Sequence, residues 1–587
     1  MKKLFVLLLL LQVSIFSIAQ GLQSPDQFLG YQLGDHFTHH YKIVNYFKSV
    51  SQSRADMVKL EQYGETYEGR PLLLAYVSSP ENIAKLENIR MNNIRLANSA
   101  KDRMAPAEDG TIIVWLSYNV HGNEPSSSEA AMKTLYALVD PSNSRTKEWL
   151  KNTVVIIDPC LNPDGRDRYV NWFTSVVGKN RNPDPQSREH IEPWPGGRTN
   201  HYNFDLNRDW AWQTQIETQA RIKKYNEWLP QVHVDFHEQG YNAPYYFAPA
   251  AEPFHEVITQ WQRDFQTQIG MNNAKYFDEK GWLYFTKERF DLFYPSYGDT
   301  YPTYNGAIGM TYEQGGHSRG GLAVVLDDGD TLTLADRLNH HHTTSLATIE
   351  VSSQNAAKLQ KEFRKYYNDA IAAPAGEFKS FVIRSDGGDR LERLRALLDR
   401  NSIQWSFANA GNATGLNYST GKNESFRISE NDIVINMNQA KSNLIRVLFE
   451  RSSKLSDSAT YDITAWSLPF AYGLQAYGMN AYQPVSTRST SQRNATTVQP
   501  AYAYAVKWNG LQSAQFLANI LRAGVRGRYV EQAFTSKGQL FDKGTILITR
   551  AANNQLSNLT SVINSAANTA GVDVFGIESG FVEKGYD

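Results

Sequence analysis

Apolar and polar residues alternate along the chain in two successive patterns. In the first, residues 36–53 carry Tyr41, Ile43, Val44, Phe47 and Val50 at three- and four-residue spacing, which predicts an amphipathic helix. A turn-rich stretch from Gly64 to Pro71 leads into a strand from Leu72 to Val77. Thr111 to Leu116 and Val154 to Ile157 are short, continuous, β-branched apolar runs of the kind buried on both faces of a sheet. Between them, Pro125 opens a helix that runs to Val139, with Ser126 to Glu129 in its first turn. Gln231 to Phe236 and Ala307 to Tyr312 add two strands. Residues 178–202, rich in Pro, Gly, Asn and Arg, have no periodicity and read as a long loop. Strands alternating with helices predict an α/β domain around a parallel or mixed sheet.

Arg337 to Tyr367 has helical periodicity, and Ala372-Ala373-Pro374-Ala375-Gly376 reads as a hinge. The pattern then restarts with a strand from Phe381 to Arg384, a helix from Arg390 to Arg400 and a strand from Ile403 to Phe407. Asp432 to Asn436, a helix near Ala440 to Phe449 and a strand from Thr545 to Thr549 continue it. The expected division is a first body over 20–350, a helical linker and hinge over 351–376, and a second α/β body over 377–587. The chain stops at Asp587 in a segment that still alternates, the pattern of a domain cut short.

The first nineteen residues have a different character. Lys2 and Lys3 precede an apolar run from Leu4 to Ile18, and Ser17-Ile18-Ala19 places small residues where a signal peptidase reads. This predicts a cleaved signal peptide over 1–19 and an exported protein, periplasmic or extracellular. No second apolar run reaches the length of a bilayer span, so no membrane association is expected after cleavage. With 59 Lys and Arg against 60 Asp and Glu, the formal charge is −1, and a nucleic-acid binder working by bulk charge is excluded. The single cysteine, Cys160, excludes a disulfide framework and any Cys-rich metal site. A metal site in this chain must be built from His, Asp and Glu.

Such residues stand at strand ends. His121 and Glu124, in Asn119-Val120-His121-Gly122-Asn123-Glu124-Pro125, follow a buried strand at its junction with a helix, where open α/β sheets place ligands. A third donor is expected from Val232-His233-Val234-Asp235-Phe236-His237-Glu238. Alternation puts His233, Asp235 and His237 on one face, with His237 nearest the strand end. His237 is the preferred ligand, His233 reads as a buried structural histidine, and Asp235 could orient a ligand from behind. Two imidazoles and a carboxylate leave one tetrahedral position of a zinc ion open. The His340-His341-His342 triple lies inside a helical pattern and reads as a solvated face. Glu313 ends the apolar strand Ala307 to Tyr312; it is either a general base facing a metal site or a capping, ion-pairing residue.

Taken together, these segments resemble the M14 (carboxypeptidase A-like) zinc carboxypeptidases over about residues 30–350. Gly64-Glu65-Thr66-Tyr67-Glu68-Gly69-Arg70, His121-Gly122-Asn123-Glu124, Asn162-Pro163-Asp164-Gly165 and Asn203-Phe204-Asp205-Leu206-Asn207-Arg208 stand in that family's order, followed by the His237 and Glu313 strands. The resemblance implies a carboxypeptidase A-like mixed sheet with flanking helices. It also implies one zinc ion held by His121, Glu124 and His237, and Glu313 as general base and then acid. Asn207 and Arg208 would grip the terminal carboxylate of a peptide, a role that suits the guanidinium fork. An arginine after the Asn-Pro-Asp-Gly turn would polarise the scissile carbonyl, with Arg168 preferred over Arg166. Tyr294 and Tyr297 are the candidates for a substrate-capping tyrosine. The floor of the specificity pocket is expected near Tyr301 to Gly306. The implied activity is removal of C-terminal residues from peptides with a free carboxylate.

From about residue 376 the chain resembles the class I glutamine amidotransferase-like domain carried by some bacterial M14 proteins, chiefly in Tyr461-Asp462-Ile463-Thr464-Ala465-Trp466-Ser467-Leu468-Pro469. No cysteine lies there, so no glutaminase activity is expected, and a docking or scaffold role is the default. Two other functions stay open at this level: hydrolysis of cell-wall peptides or N-acyl amino acids on the same zinc scaffold, and non-catalytic binding of exported peptides or glycans. Nothing in the sequence sets the oligomeric state.

Overall fold

A computed structural model describes residues 21–98, 110–455, 460–461, 465–486 and 497–585. The expected signal peptide lies outside the described residues. The chain divides into two compact units: residues up to 375 with 400–402 and 438–465, and residues 376–399, 403–437 and 466–587.

The first unit is built on strands β1 (Val58–Glu65), β2 (Pro71–Val77), β3 (Ile112–Tyr118), β4 (Thr153–Asp158), β5 (Val232–Gly240), β6 (Tyr245–Tyr246), β7 (Ala251–Phe254), β8 (Tyr284–Phe285), β9 (Asp291–Leu292) and β10 (Ile308–Gly316). Eight of them form one mixed sheet in the order β1-β2-β4-β3-β5-β10-β6-β8, and β7 pairs with β9 apart from it. At the centre β4, β3, β5 and β10 run parallel. Their carboxyl ends therefore open on one edge. The flanks β1, β2 and β6 pair antiparallel. Every residue of β3, β4 and β10 is buried; in β3 and β4 that is why the central runs Ile112–Leu116 and Val154–Ile157 are apolar rather than alternating.

The helices that cover the sheet are α1 (His40–Ser53), α2 (Ser126–Val139), α3 (Pro163–Val176), α4 (Ile216–Trp228), α5 (Gln260–Lys280), α6 (Leu334–Gln354), α7 (Ala356–Ala372) and α8 (Ser442–Phe449). One apolar core joins Phe47 and Val50 of α1, Leu135 and Leu138 of α2 and Ile349 of α6 to Val114 and Leu116 of β3, Val232, Val234 and Phe236 of β5, and Met310 and Tyr312 of β10. A strand turns successive side chains to opposite faces. The residues between these core positions, His233, Asp235 and His237 of β5 and Thr311 and Glu313 of β10, therefore face away from this core. That division is what brings the polar chemistry to one side.

The boundaries depart from the expected ones. The stretch expected as a helical linker and hinge, 351–376, holds the end of α6 and the whole of α7, with residues 373–376 following outside any helix. Leu359 of α7 sits in the core just described. Gln360 accepts from the Gly110 amide at 3.0 Å and donates to the Thr111 carbonyl at 3.2 Å, fixing the start of β3. Helix α8, expected in the second body, also belongs to the first unit. Ser442 Oγ donates to the Ala370 carbonyl at 2.8 Å, and Lys441 Nζ donates to the Asn226 and Asn305 amide oxygens at 2.9 and 2.6 Å. Burial pushes the Lys441 ammonium down to about 7.

The second unit contains a six-stranded and a four-stranded sheet, with helices that include Leu511–Arg522 and Leu559–Ala570. Every described strand pair in it is antiparallel.

Candidate active site

Two close-packed turns fix the first two donors. Asn119, just after β3, adopts the left-handed conformation with φ 62°. That turn reverses the chain, and the Asn119 amide donates to the carbonyls of His121 at 2.7 Å and Glu124 at 3.0 Å. The second turn, Asn162 to Gly165 ahead of α3, packs directly on the first. A side chain at Gly122 would stand 2.1 Å from the Arg166 amide nitrogen, so only glycine fits between His121 and Asn123. Arg166 locks the pair of turns together. It donates to the Asn119 side chain at 3.0 Å, the Pro125 carbonyl at 2.8 Å and the Thr38 carbonyl, and it pairs with Glu129 at 2.6 Å with both side chains fully buried. Arg166 therefore supports the site from behind and has no face on it.

β5 brings the third donor. His121 Nδ1 lies 2.9 Å from Glu124 Oε1, His237 Nδ1 lies 3.1 Å from Glu124 Oε2, and the two Nδ1 atoms are 3.2 Å apart. All three side chains are buried. Tetrahedral zinc with bonds of about 2.0–2.1 Å needs donors roughly 3.3 Å from one another. The donor set therefore fits that ion in both chemistry and spacing. Each imidazole is oriented through its other nitrogen: His121 Nε2 is 3.0 Å from Asp205 Oδ1 and His237 Nε2 is 2.8 Å from Asp235 Oδ2. Burial disfavours the Glu124 and Asp205 anions, but the neighbouring histidines overcome it, helped at Asp205 by Arg198 and Arg208, and hold both carboxyls well below the usual range. Among the described residues this is the one His/Asp/Glu group close enough to hold an ion.

The parallel register of β10 on β5 sets Glu313 opposite His237. Glu313 lines the same cleft, a space of about 420 Å³. Burial pushes its carboxyl up to about 8, against the pull of His237. A short 3₁₀ turn, Leu206–Arg208, places Asn207 and Arg208 on the cleft wall. The Asn207 side-chain oxygen accepts from the Gly298 amide at 2.9 Å, and the Arg208 guanidinium lies 4.6 Å from the centre of the Tyr297 ring. Of the two tyrosines, Tyr297 lines the cleft. Tyr294 is turned inward, its hydroxyl accepting from Trp212 Nε1 at 2.7 Å.

Three expectations are corrected. Arg168 does not face the cleft; it donates to the carbonyls of Gly196 at 2.9 Å and Asn200 at 3.1 Å and so braces the long loop. That loop delivers Arg198 in its place, 3.5 Å from Glu124 Oε1 and 2.9 Å from Asp205 Oδ2. The residues Tyr301 to Gly306 do not form the floor, because they are spent on internal bonds such as Tyr301 Oη to Asn401 at 2.8 Å and Tyr304 Oη to the Phe293 carbonyl at 2.7 Å. Asp291, Asp299 and Thr311 line the cleft instead. His340 and His341 are buried rather than solvated, bonded to Gln314 at 2.6 Å and the Tyr245 hydroxyl at 2.8 Å. His233 is the buried structural histidine expected, 2.9 Å from Ser117 Oγ.

The sequence also concealed two cleft residues. His317, in a left-handed turn after β10 with φ 53°, has its Nε2 3.7 Å from Glu124 Oε1. Tyr461, assigned from sequence to the second body, belongs to the first unit and lines the cleft. Its amide donates to Asp291 Oδ2 at 2.7 Å. Neither carries a motif that would have signalled it.

Residues 43–287 match the family model described as zinc carboxypeptidase, Peptidase_M14. That span includes the three donors, Arg198, Asn207 and Arg208, and ends before Glu313. Solved structures similar to this chain include a metallo-carboxypeptidase from Burkholderia cenocepacia, at 16% identity over 54% of this chain and 70% of that one with a TM-score of 0.38. Carboxypeptidase A from Helicoverpa armigera is 14% identical over 62% of this chain and 80% of that one, with a TM-score of 0.36. A metallo-carboxypeptidase from Pseudomonas aeruginosa is 13% identical over 54% and 68%, with a TM-score of 0.35. No curated protein matches the sequence.

Proposed function

We propose, from the zinc carboxypeptidase domain that this chain carries, that it is an exported peptidase removing single residues from the free C-termini of peptides, with Glu313 as its general base. The observation that carries this reading is one juxtaposition: a zinc-fitting donor set, a buried carboxylate opposite one of its ligands, and an Asn-Arg pair on the wall of the same cleft.

The chain's own groups divide the work. Zinc held by His121, Glu124 and His237 would supply Lewis acidity and lower the pKa of water to about 7. Asp205 and Asp235 keep the ring nitrogens of both histidines turned toward the ion. Asn207 and Arg208 hold the terminal carboxylate, which sets the last peptide bond in reach. Glu313 takes a proton from the attacking water and returns it to the departing amine. Arg198 donates to the carbonyl oxygen as that oxygen gains charge. Arg198→Ala is expected to lower kcat about 10²- to 10³-fold, the usual cost of losing one such donor. Arg168→Ala is expected to act indirectly and less, by loosening the loop. Steady-state kinetics on one peptide compares the two directly.

Export rests on the Lys2-Lys3 and Leu4 to Ile18 pattern. Amino-terminal sequencing of protein recovered outside the cytoplasm is expected to begin at Gln20. For the second unit a docking or scaffold role is proposed and no glutaminase activity, since the one cysteine, Cys160, is buried in the first unit.

The test of the activity is a digest of paired peptides with free and amidated C-termini. Release of the last residue from the free peptide alone, abolished by a chelator and restored by zinc, is the expected result. Equal cleavage of the amidated peptide, or turnover unaffected by chelation, would refute the reading.

A further inference from the structure

A second cavity of about 410 Å³ opens among α2, α5, α6 and the short helix Ser144–Trp149, and it shares no lining residue with the catalytic cleft. Trp149 and Trp282 give it ring surface, and Leu346 and Ala347 of α6 add alkyl groups. Trp149 packs into the main apolar core of the first unit. Trp282 is held against the His340 ring at 4.2 Å and the Phe277 ring at 5.2 Å. Both indoles are therefore fixed surfaces.

Three cations border these rings. The charge of Arg145 is answered by Glu350 at 2.8 Å, and its guanidinium lies 5.3 Å from the centre of the Trp149 ring. The two lysines are not answered. Half-buried Lys133 donates its Nζ to the Asn339 side-chain oxygen at 2.5 Å, a neutral acceptor. Lys280 stands 5.2 Å from the centre of the Trp282 ring. Among the described residues neither lysine has a carboxylate within ion-pairing distance, and no Asp or Glu lines the cavity. Burial lowers the Lys133 ammonium below its ordinary value; Asp26 opposes that fall and Lys280 adds to it. Asp26 is itself bonded to the Leu33 amide at 2.8 Å. His342, the member of the histidine triple that lines this cavity, is pushed down to about 3 by burial and by Lys133. It is therefore a neutral ring there, with its Nδ1 3.1 Å from Thr134 Oγ1.

Two like charges beside an apolar wall with no anion to pair them are unfavourable, and an anion brought to them removes the repulsion. We propose that this cavity is a binding site for a small aromatic carboxylic acid without an ammonium group. The indole surfaces match a flat apolar body, and the two lysines match one carboxylate. A zwitterionic amino acid fits poorly, because its ammonium would meet the lysines and find no acidic group in the lining. The site is independent of the chemistry in the catalytic cleft.

Calorimetric titration of the full chain with three probes of one shape tests this: indole-3-propionate, its amide and tryptophan. The propionate is expected to bind at least about tenfold more tightly than either of the others, the usual gain from one charge-assisted bond. Lys133→Met with Lys280→Met is expected to weaken the propionate at least about tenfold and to leave the amide unchanged. Lys280→Met alone, at an exposed helix end, keeps the fold and is expected to show part of that loss. Arg208→Ala, which removes the carboxylate grip of the catalytic cleft, is expected to leave the propionate's affinity unchanged. Absence of saturable binding, equal binding of acid and amide, or binding that is lost in Arg208→Ala and kept in the lysine variants would overturn the assignment.

Discussion

Glu313→Gln is expected to lower kcat/KM about 10³- to 10⁴-fold while leaving zinc content and folding unchanged. The amide has the shape of the carboxyl group and keeps the wall of the cleft, but it cannot accept a proton. General acid–base catalysis by one positioned group contributes about 10²- to 10⁴-fold. The upper part of that range is expected because Glu313 acts twice, on the water and then on the departing amine. Its surroundings favour proton transfer in both directions. Enclosure beside β5 raises its proton affinity, and a carboxyl group moved up toward the working pH is better matched to taking and returning a proton than one at the ordinary carboxylate value. Steady-state kinetics with elemental analysis of the same preparation checks the claim. A variant that retains zinc and most of its activity would transfer the role of base to another group; His317, 3.7 Å from Glu124, is a candidate in the same cleft.

The largest expected effect on stability lies at Glu129. Its carboxylate receives the Arg166 guanidinium at 2.6 Å and the Thr38 amide and hydroxyl at 2.7 Å each, all out of contact with solvent. Glu129→Ala leaves a guanidinium buried without its anion, and breaking a buried pair in this way costs about 3–5 kcal/mol. Replacing both partners, as in Glu129→Leu with Arg166→Met, is expected to cost less than the sum of the single changes, because no uncompensated charge remains. Urea unfolding followed by tryptophan fluorescence reports on the correct unit, since nine of the twelve tryptophans precede residue 300. A loss below about 1 kcal/mol would mean that Arg166 finds other partners or water. Zinc affinity should fall in parallel, because Arg166 also holds Asn119 and Pro125, which frame the His121 to Glu124 turn.

The three metal donors were legible because each sits where short-range rules apply. His121 and Glu124 flank a strand-to-helix turn, and period-two alternation put His237 on the polar face of β5. Arg198 was not legible. Its position depends on a loop without periodicity, held by Arg168 through backbone carbonyls and by Asp205 across the site, and such long-range bonds leave no local pattern. Helix α7 shows the same limit. Its periodicity, with Leu359, Phe363 and Tyr367 buried, reveals an apolar face but not which body that face covers. The return of 438–465 to the first unit, which brings Tyr461 to the cleft, was concealed for the same reason. The histidine triple misled because an imidazole with one satisfied nitrogen packs as an aromatic ring; His341 lies 5.3 Å from the Phe236 ring and 5.4 Å from that of Tyr245.

Anomalous diffraction at the zinc edge, on crystals of the zinc-loaded chain, tests the metal centre most directly. One peak per chain is expected, about 2.0–2.2 Å from His121 Nδ1, His237 Nδ1 and a Glu124 oxygen, with Asp205 and Asp235 still on the far nitrogens. A folded chain with no peak between those donors, or with zinc held by other residues, would contradict the account.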